Sequence, residues 1–204
     1  MVKKEKLVRL FDRQAKRYAK RKDSASLKRW RQKLIRQAEG EVLELAVGAG
    51  ANFPYYPSGV KVTATDFSEE MLRKARGAAA AHHTDAVFIC ADIEKMSFDK
   101  ESFDTIVSTL SFCCYENPLG MFQKIQRWCK PDGNILLLEH GISSHVAIST
   151  FQRTFNPLFC RVVGCHHNRD MLELVKASGI EVDKVESHWF DMGHLIWAKP
   201  GSRV

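Results

Sequence analysis

Two hydrophobic periods divide the chain. Over roughly the first forty residues, apolar side chains return every three or four positions: Leu7, Leu10, Phe11, Ala15 and Tyr18, then Leu27, Trp30, Leu34 and Ile35, with Lys and Arg filling the gaps. This spacing predicts two amphipathic helices, the second capped by Ser24 or Ser26 and ending near Gly40. Beyond Gly40 the pattern changes to short β-type runs: Glu41 to Val47, Lys61 to Asp66, Ala86 to Ala91, Phe103 to Thr109 and Asn134 to Glu139. Between the second and third runs, Met71, Leu72, Ala75 and Ala79 form a helical stripe that starts after Ser68, with Glu69 and Glu70 placed favourably in its first turn. Between the fourth and fifth, Met121, Ile125 and Trp128 mark another helix, closed by a Pro131-Asp132-Gly133 turn.

Strands that alternate with helices imply a mostly parallel sheet with helices on both faces, because parallel neighbours require a crossover. The last third departs from the alternation. Ser143 to Val163 reads as a helix interrupted at Pro157, Asp170 to Ser178 as a short helix, and Ile180 to Ser187 with Gly193 to Ala198 as two strands on a short link. Such a pair is antiparallel, so the expected α/β sheet has seven strands and an antiparallel edge hairpin.

At 204 residues with 45% hydrophobic and 27% charged positions, the chain fits one globular domain and shows no repeat or linker. The longest apolar runs, such as Ile135 to Leu138, fall far short of a membrane span, and the opening residues lack the apolar core of a secretory signal. A cytoplasmic location is therefore expected. The six cysteines include no C-x-x-C pair and are expected to be reduced.

The net charge of +7 is uneven: residues 1–38 hold fifteen Lys and Arg against three Asp and Glu, and the remainder holds sixteen against twenty-one. Two expectations follow. Residues 1–39 form a basic helical lid over a core of residues 40–204, and residues 1–38 make peripheral contact with an anionic surface, phospholipid or nucleic acid. The alternative is a helix pair whose basic faces meet only solvent.

Chemistry concentrates at the strand ends. Glu44-Leu45-Ala46-Val47-Gly48-Ala49-Gly50 closes the first strand, where ligands of open α/β sheets bind and glycines let the backbone approach a cofactor. The second strand ends in Asp66, a carboxylate suited to ribose hydroxyls, and Asp92 follows the third. No lysine follows the glycines, so a Walker-type phosphate loop fails, and the incomplete G-x-G-x-x-G argues against a dinucleotide.

These residues, with Val62 to Leu72, Ala91-Asp92-Ile93, Ser102 to Ile106 and Lys130 to Gly133, resemble the successive motifs of class I S-adenosylmethionine-dependent methyltransferases over residues 40–140. The resemblance implies a Rossmann-like fold and the cofactor S-adenosylmethionine, leaving as S-adenosylhomocysteine. It places Glu44, Ala46, Gly48 and Gly50 about the methionine half, Asp66 on the ribose, Phe67 and Met71 in the adenine pocket, Asp92 and Ile93 against the adenine, and Thr109 and Leu110 toward the sulfonium. Ala46 stands where the family commonly has glycine, and the added methyl is expected to tighten packing.

The family's signature for base amines is missing from Thr109-Leu110-Ser111-Phe112, which makes nucleic acid the weaker substrate reading. Glu139-His140-Gly141 and the Phe151 to Asn168 segment look most like the phospholipid and thiol branches, with quinone C-methyltransferases also similar. The implied acceptor is a small molecule or lipid: a phospholipid amine, a thiol or a quinone. The rivals are an RNA methyltransferase that grips phosphates with the basic segment and a non-catalytic module that binds cofactor and a partner.

His140 is the candidate base or substrate contact, just past the fifth strand, and Tyr18, Tyr55 and Tyr56 are candidate aromatic walls, Tyr18 from the lid. Cys160, Cys165, His166 and His167 carry metal-type donors but lack two ligand pairs, so no metal is expected. Adjacent Cys113 and Cys114 read as pocket lining, with a redox or metalloid role as the alternative.

Overall fold

A computed structural model describes residues 4–201; residues 1–3 of the expected lid and 202–204 of the expected core lie outside the described residues. Helices α1 (Lys4–Lys20) and α2 (Ala25–Ile35) precede strands β1 (Glu41–Leu45) and β2 (Lys61–Asp66), then α3 (Glu69–Ala81), β3 (Asp85–Cys90) and β4 (Phe103–Thr109). Helix α4 (Pro118–Trp128), β5 (Cys129–His140), α5 (Val146–Val162), α6 (Met171–Ser178), β6 (Glu181–His188) and β7 (Gly193–Lys199) complete the described elements. The strands form one sheet in the order β3-β2-β1-β4-β5-β7-β6. The first five pair in parallel; β7 is antiparallel to both β5 and β6, which is the expected edge hairpin.

Both faces of the sheet are covered. Along β1, Val42 joins Leu34, Ile35, Leu72 and Ala75 under α2 and α3, whereas Leu43 and Leu45 join Met121, Ile125, Met171 and Val175 under α4 and α6. Four of the five β1 residues are buried, as a strand enclosed on both faces requires. The side-chain oxygens of Ser24, Ser68 and Asp170 accept the backbone N–H of Leu27, Met71 and Glu173, so three predicted helix starts rest on ordinary capping.

Four local expectations are corrected. Strand β1 stops at Leu45, not Val47, because Ala46 takes a φ of +48°, outside strand geometry. No α-helix links β1 to β2 or β3 to β4; the first link contains only a 3-10 turn, Phe53–Tyr55. The Pro131-Asp132-Gly133 turn is a bulge inside β5, because the register with β4 jumps between Phe103↔Cys129 and Thr105↔Asn134. Helix α5 runs unbroken through Pro157. It lies on the surface with only Gln152 buried, so water can take the carbonyl that the proline ring leaves without a donor.

Gln152 ties this surface helix to the sheet. Its Oε1 accepts the N–H of Ser143 at 2.8 Å, and its Nε2 donates to the carbonyls of Gly141 and His167 at 3.1 and 3.0 Å. The loops after β5 and after α5 are thereby held by one side chain.

Candidate active site

A cavity of about 320 Å³ opens above the carboxyl ends of β1, β2, β4 and β5, the edge where open α/β sheets bind ligands. Its floor is the turn after β1. Gly48 has a φ of +56°, and a Cβ built there would point into open space, so the backbone is bare toward the cavity. Asp66 grips this turn: its Oδ2 accepts the N–H of Gly48 and its Oδ1 that of Ser68, both at 2.9 Å. Each oxygen retains a further lone pair for a ligand hydroxyl. Burial pushes the Asp66 carboxyl up to about 6, against the pull of those two N–H groups.

Nine of the eleven residues expected at the cofactor line this one cavity: Ala46, Gly48, Asp66, Phe67, Met71, Asp92, Ile93, Thr109 and Leu110. Glu44 and Gly50 stand behind the wall. A Cβ on Gly50 would meet the ring of Phe53 at 2.7 Å and Ala78 at 2.9 Å, so this glycine is needed for packing. Glu44 is fully enclosed, accepting the Asn52 Nδ2 at 2.7 Å and the Tyr56 hydroxyl at 2.9 Å. Burial raises its carboxyl to about 7 despite these bonds. Tyr56 is thus a partner of Glu44, and neither it nor Tyr55 lines the cavity as expected, whereas Tyr18 does.

Behind the turn lies a network that sequence patterning did not single out. Arg31 Nε pairs with Asp23 at 2.8 Å, and its NH1 donates to Asn52 Oδ1 at 2.7 Å and to Thr109 Oγ1 at 2.9 Å. Arg31 therefore ties the lid to the tips of β1 and β4. The signal was present: Arg31 occupies the stripe of Leu27, Trp30, Leu34 and Ile35, where a solvated arginine has no place.

Helix α1 roofs the nucleoside end. Lys4 Nζ lies 2.9 Å from Asp92 and 3.3 Å from Glu94, and sits 5.2 Å above the ring of Phe67. Phe11 meets Phe67 edge-on at 5.5 Å, and the Ser68 hydroxyl donates to Asp12 at 2.5 Å. The apolar stripe of α1 faces inward, with Leu7 and Ala15 buried, so its outer face is cationic.

The other end of the cavity has a different composition. Tyr18, Cys113, Cys114, His140, Cys165 and His167 line it, and the His140 and His167 rings stack at 4.9 Å. Burial, seconded by His167, pushes the His140 imidazole down to about 4, so it is neutral at pH 7 and a weak proton acceptor. The loop beneath is fixed by Glu139, whose buried carboxylate accepts the Ser108 hydroxyl at 2.6 Å and the N–H groups of Ser111 and Phe112.

A bare glycine turn, a strand-tip carboxylate gripping it and apolar side chains beyond define an α/β protein with a ligand-sized cleft at its strand tips. Residues 43–137 match the methyltransferase domain family, and the chain belongs to the class I S-adenosylmethionine-dependent methyltransferases. Among its relatives, thiol S-methyltransferase TMT1B of Homo sapiens is 30% identical over 79% of this chain and 71% of its own length. The rat protein of the same name is 32% identical over 74% of this chain and 63% of its own length, so the chain spans just under two thirds of that relative. Phosphatidylethanolamine N-methyltransferase of Cereibacter sphaeroides is 32% identical over 50% of this chain and 51% of its own length. The fold matches the solved S-adenosylmethionine-dependent methyltransferase of Mesorhizobium loti with a TM-score of 0.63 at 19% identity, covering 86% of this chain and 97% of that one.

Proposed function

We propose that this chain is an S-adenosylmethionine-dependent methyltransferase whose acceptor is a small thiol. S-adenosylmethionine supplies an electrophilic methyl group on a sulfonium. The residues at the nucleoside end fit it: Asp66 has lone pairs left for both ribose hydroxyls, Gly48 leaves its backbone bare, and Phe67, Met71 and Ile93 offer an apolar slot for a purine. Asp92 at the far side of that slot accepts a donor, the place now taken by Lys4. Thr109 and Leu110 line the passage between the two ends. Glu44, from behind the wall, positions Asn52 and the turn.

The observation that carries the acceptor assignment is the sulfur-rich lining of the far end. Tyr18, Cys113, Cys114, Cys165 and His167 line it, a soft, sulfur-rich setting for another sulfur, while the lid adds Arg21 and Asp23 to the cavity wall. A thiol loses its proton near pH 8.5 unaided, so alignment and exclusion of water are what the protein must supply. His140 and Tyr18 then contact the acceptor and shape its approach.

The test is direct: the full chain with S-adenosylmethionine and a small alkyl thiol yields the methyl thioether and S-adenosylhomocysteine by mass spectrometry. Product from phosphatidylethanolamine vesicles or a demethylated quinone, with none from thiols, refutes the thiol assignment. No turnover with any acceptor favours the non-catalytic module.

The same reading assigns residues 1–38 as a lid that rests on an anionic membrane surface. Its inward stripe is occupied by the core, so its outer face offers charge, while Phe151, Leu158 and Val162 of α5 and Phe190 nearby are exposed apolar side chains. Among the described residues no helix is long and apolar enough to cross a membrane. Flotation with phosphatidylserine vesicles, lost in high salt and absent with neutral vesicles, is the expected outcome; binding to RNA alone across the same salt series overturns it.

A further inference from the structure

The far end of the cavity holds three metal-type donors from three separate elements. Cys113 lies on the 3-10 turn Phe112–Cys114, His140 ends β5, and Cys165 follows α5. Cys113 Sγ, His140 Nε2 and Cys165 Sγ all lie within 4.8 Å of one another, with His140 Nε2 and Cys165 Sγ at 3.0 Å. Both thiols are free and buried. Buried cysteines are ordinary packing residues, but here two sulfurs and an imidazole nitrogen from three separate elements converge on one point at the cavity wall.

We propose that Cys113, His140 and Cys165 bind a zinc ion whose fourth position opens on the cavity. A tetrahedral ion with Zn–S of about 2.3 Å and Zn–N of about 2.0 Å separates its ligand atoms by roughly 3.5 Å (S to N) and 3.8 Å (S to S). The three donors meet that requirement if His140 and Cys165 part by about 0.5 Å and the two separations from Cys113, now within 4.8 Å, close to these values, shifts within reach of side-chain torsions. Thiolate and imidazole are the ligands zinc prefers, and three protein ligands with one vacancy is the pattern of reactive zinc sites. The donors are anchored: Glu139 fixes the turn that carries Cys113, β5 fixes His140, and the carbonyl of His167, two residues past Cys165, is held by Gln152.

The metal site stands on this cluster alone; its role toward the acceptor rests on the thiol reading above. In that role the vacancy takes the acceptor sulfur as a thiolate, its proton passing to the buffer. The sulfur keeps a lone pair, forms the S–C bond as the sulfonium–methyl bond breaks, and leaves as a neutral thioether, a poorer ligand than the thiolate it replaced.

Cobalt tests both parts. The reduced, metal-stripped full chain should take up one equivalent of Co²⁺ with thiolate-to-cobalt charge transfer and the intense d–d bands of a tetrahedral site, and Zn²⁺ should displace it. Cys113→Ser, Cys165→Ser and His140→Asn should each lose this spectrum while S-adenosylhomocysteine affinity, measured by calorimetry, shows the fold intact. Cys90→Ser, at an exposed site, and Cys160→Ser, whose sulfur instead lies 3.2 Å from His166 Nδ1, should keep it. A small alkyl thiol should shift the d–d bands without removing the metal, in Cys114→Ser as well. Absence of charge transfer, or its survival in Cys165→Ser, overturns the site; loss in Cys114→Ser or no response to thiol overturns the vacancy. If the bands respond to thiol but no thioether forms, the acceptor assignment falls and the metal site remains.

Discussion

The two ends of the cavity are built by different means. The end assigned to the nucleoside is made of strand tips: Asp66 ends β2, Gly48 and Asp92 follow β1 and β3, and the N–H groups of Val47 and Ala91 carry the pairing on to the carbonyls of Thr65 and Asp66. The acceptor end is made of loops and a surface helix, with Cys113 on a short turn, His167 beyond α5, and Gln152 joining them to the sheet. The first is rigid because backbone pairing fixes it; the second is only as rigid as a few side-chain hydrogen bonds make it. One end can therefore be shared across a family while the other is redrawn for each acceptor.

Breaking the first end should have the largest effect. Asp66→Ala removes the carboxylate that holds the turn and, on the proposed reading, a ribose, and S-adenosylhomocysteine affinity should fall by about 1–3 kcal/mol in calorimetry. Unchanged affinity would separate Asp66 from the ligand. At the other end, Gln152→Ala leaves the N–H of Ser143 and two carbonyls without partners, and stability should drop by about 2 kcal/mol in chemical denaturation. Affinity for the nucleoside should stay near that of the parent; a parallel loss would show that the two ends are not independent.

The pH dependence sharpens the same division. Glu44 keeps its proton to about pH 7 in the fold against an ordinary value of 4.5, so between these values the folded chain binds more protons than the unfolded one. The part of the stability due to Glu44 is accordingly full below about pH 4.5, declines as pH rises through 7, and is level above. Glu44→Gln should reduce the difference in melting temperature between pH 5 and pH 7.5, leaving the parts due to Glu139 and Asp66, which are also raised. A difference as large as the parent's would remove Glu44 as a contributor.

The smallest effect concerns Ala46. Its φ of +48° costs an L-residue roughly 1–2 kcal/mol, part of which glycine's greater unfolded freedom takes back. Ala46→Gly should raise stability by about 1 kcal/mol by denaturant titration. A loss of stability would return the position to the packing explanation suggested by its sequence.

What the sequence made legible follows the same boundary. Strand-tip residues announce themselves because a β-run ends in a definite turn, and Asp66 and Gly48 are legible from such ends together with the order of motifs that resembles the family. Ala46 shows the limit: its type was visible and its backbone strain was not. Arg31 was passed over because a charged residue in a basic segment reads as solvated, although its place in the Leu27 to Ile35 stripe pointed inward. Pro157 was read as a break because sequence shows the lost N–H but not that the helix lies where water repairs it. Cys113, His140 and Cys165 are separated by 27 and 25 positions and meet only through the crossing of β4, β5 and the loop after α5. No spacing rule could have joined them.

The clasp between Lys4 and Asp92 has a kinetic consequence. Helix α1 is fastened over the cavity by Lys4 on Asp92, Phe11 on Phe67 and Asp12 on Ser68, and joins α2 through the four residues 21–24, so on the proposed reading a swing about that short hinge opens the slot to a nucleoside. The ion pair is the salt-sensitive part of that fastening, so added salt should hasten exchange even as it loosens grip.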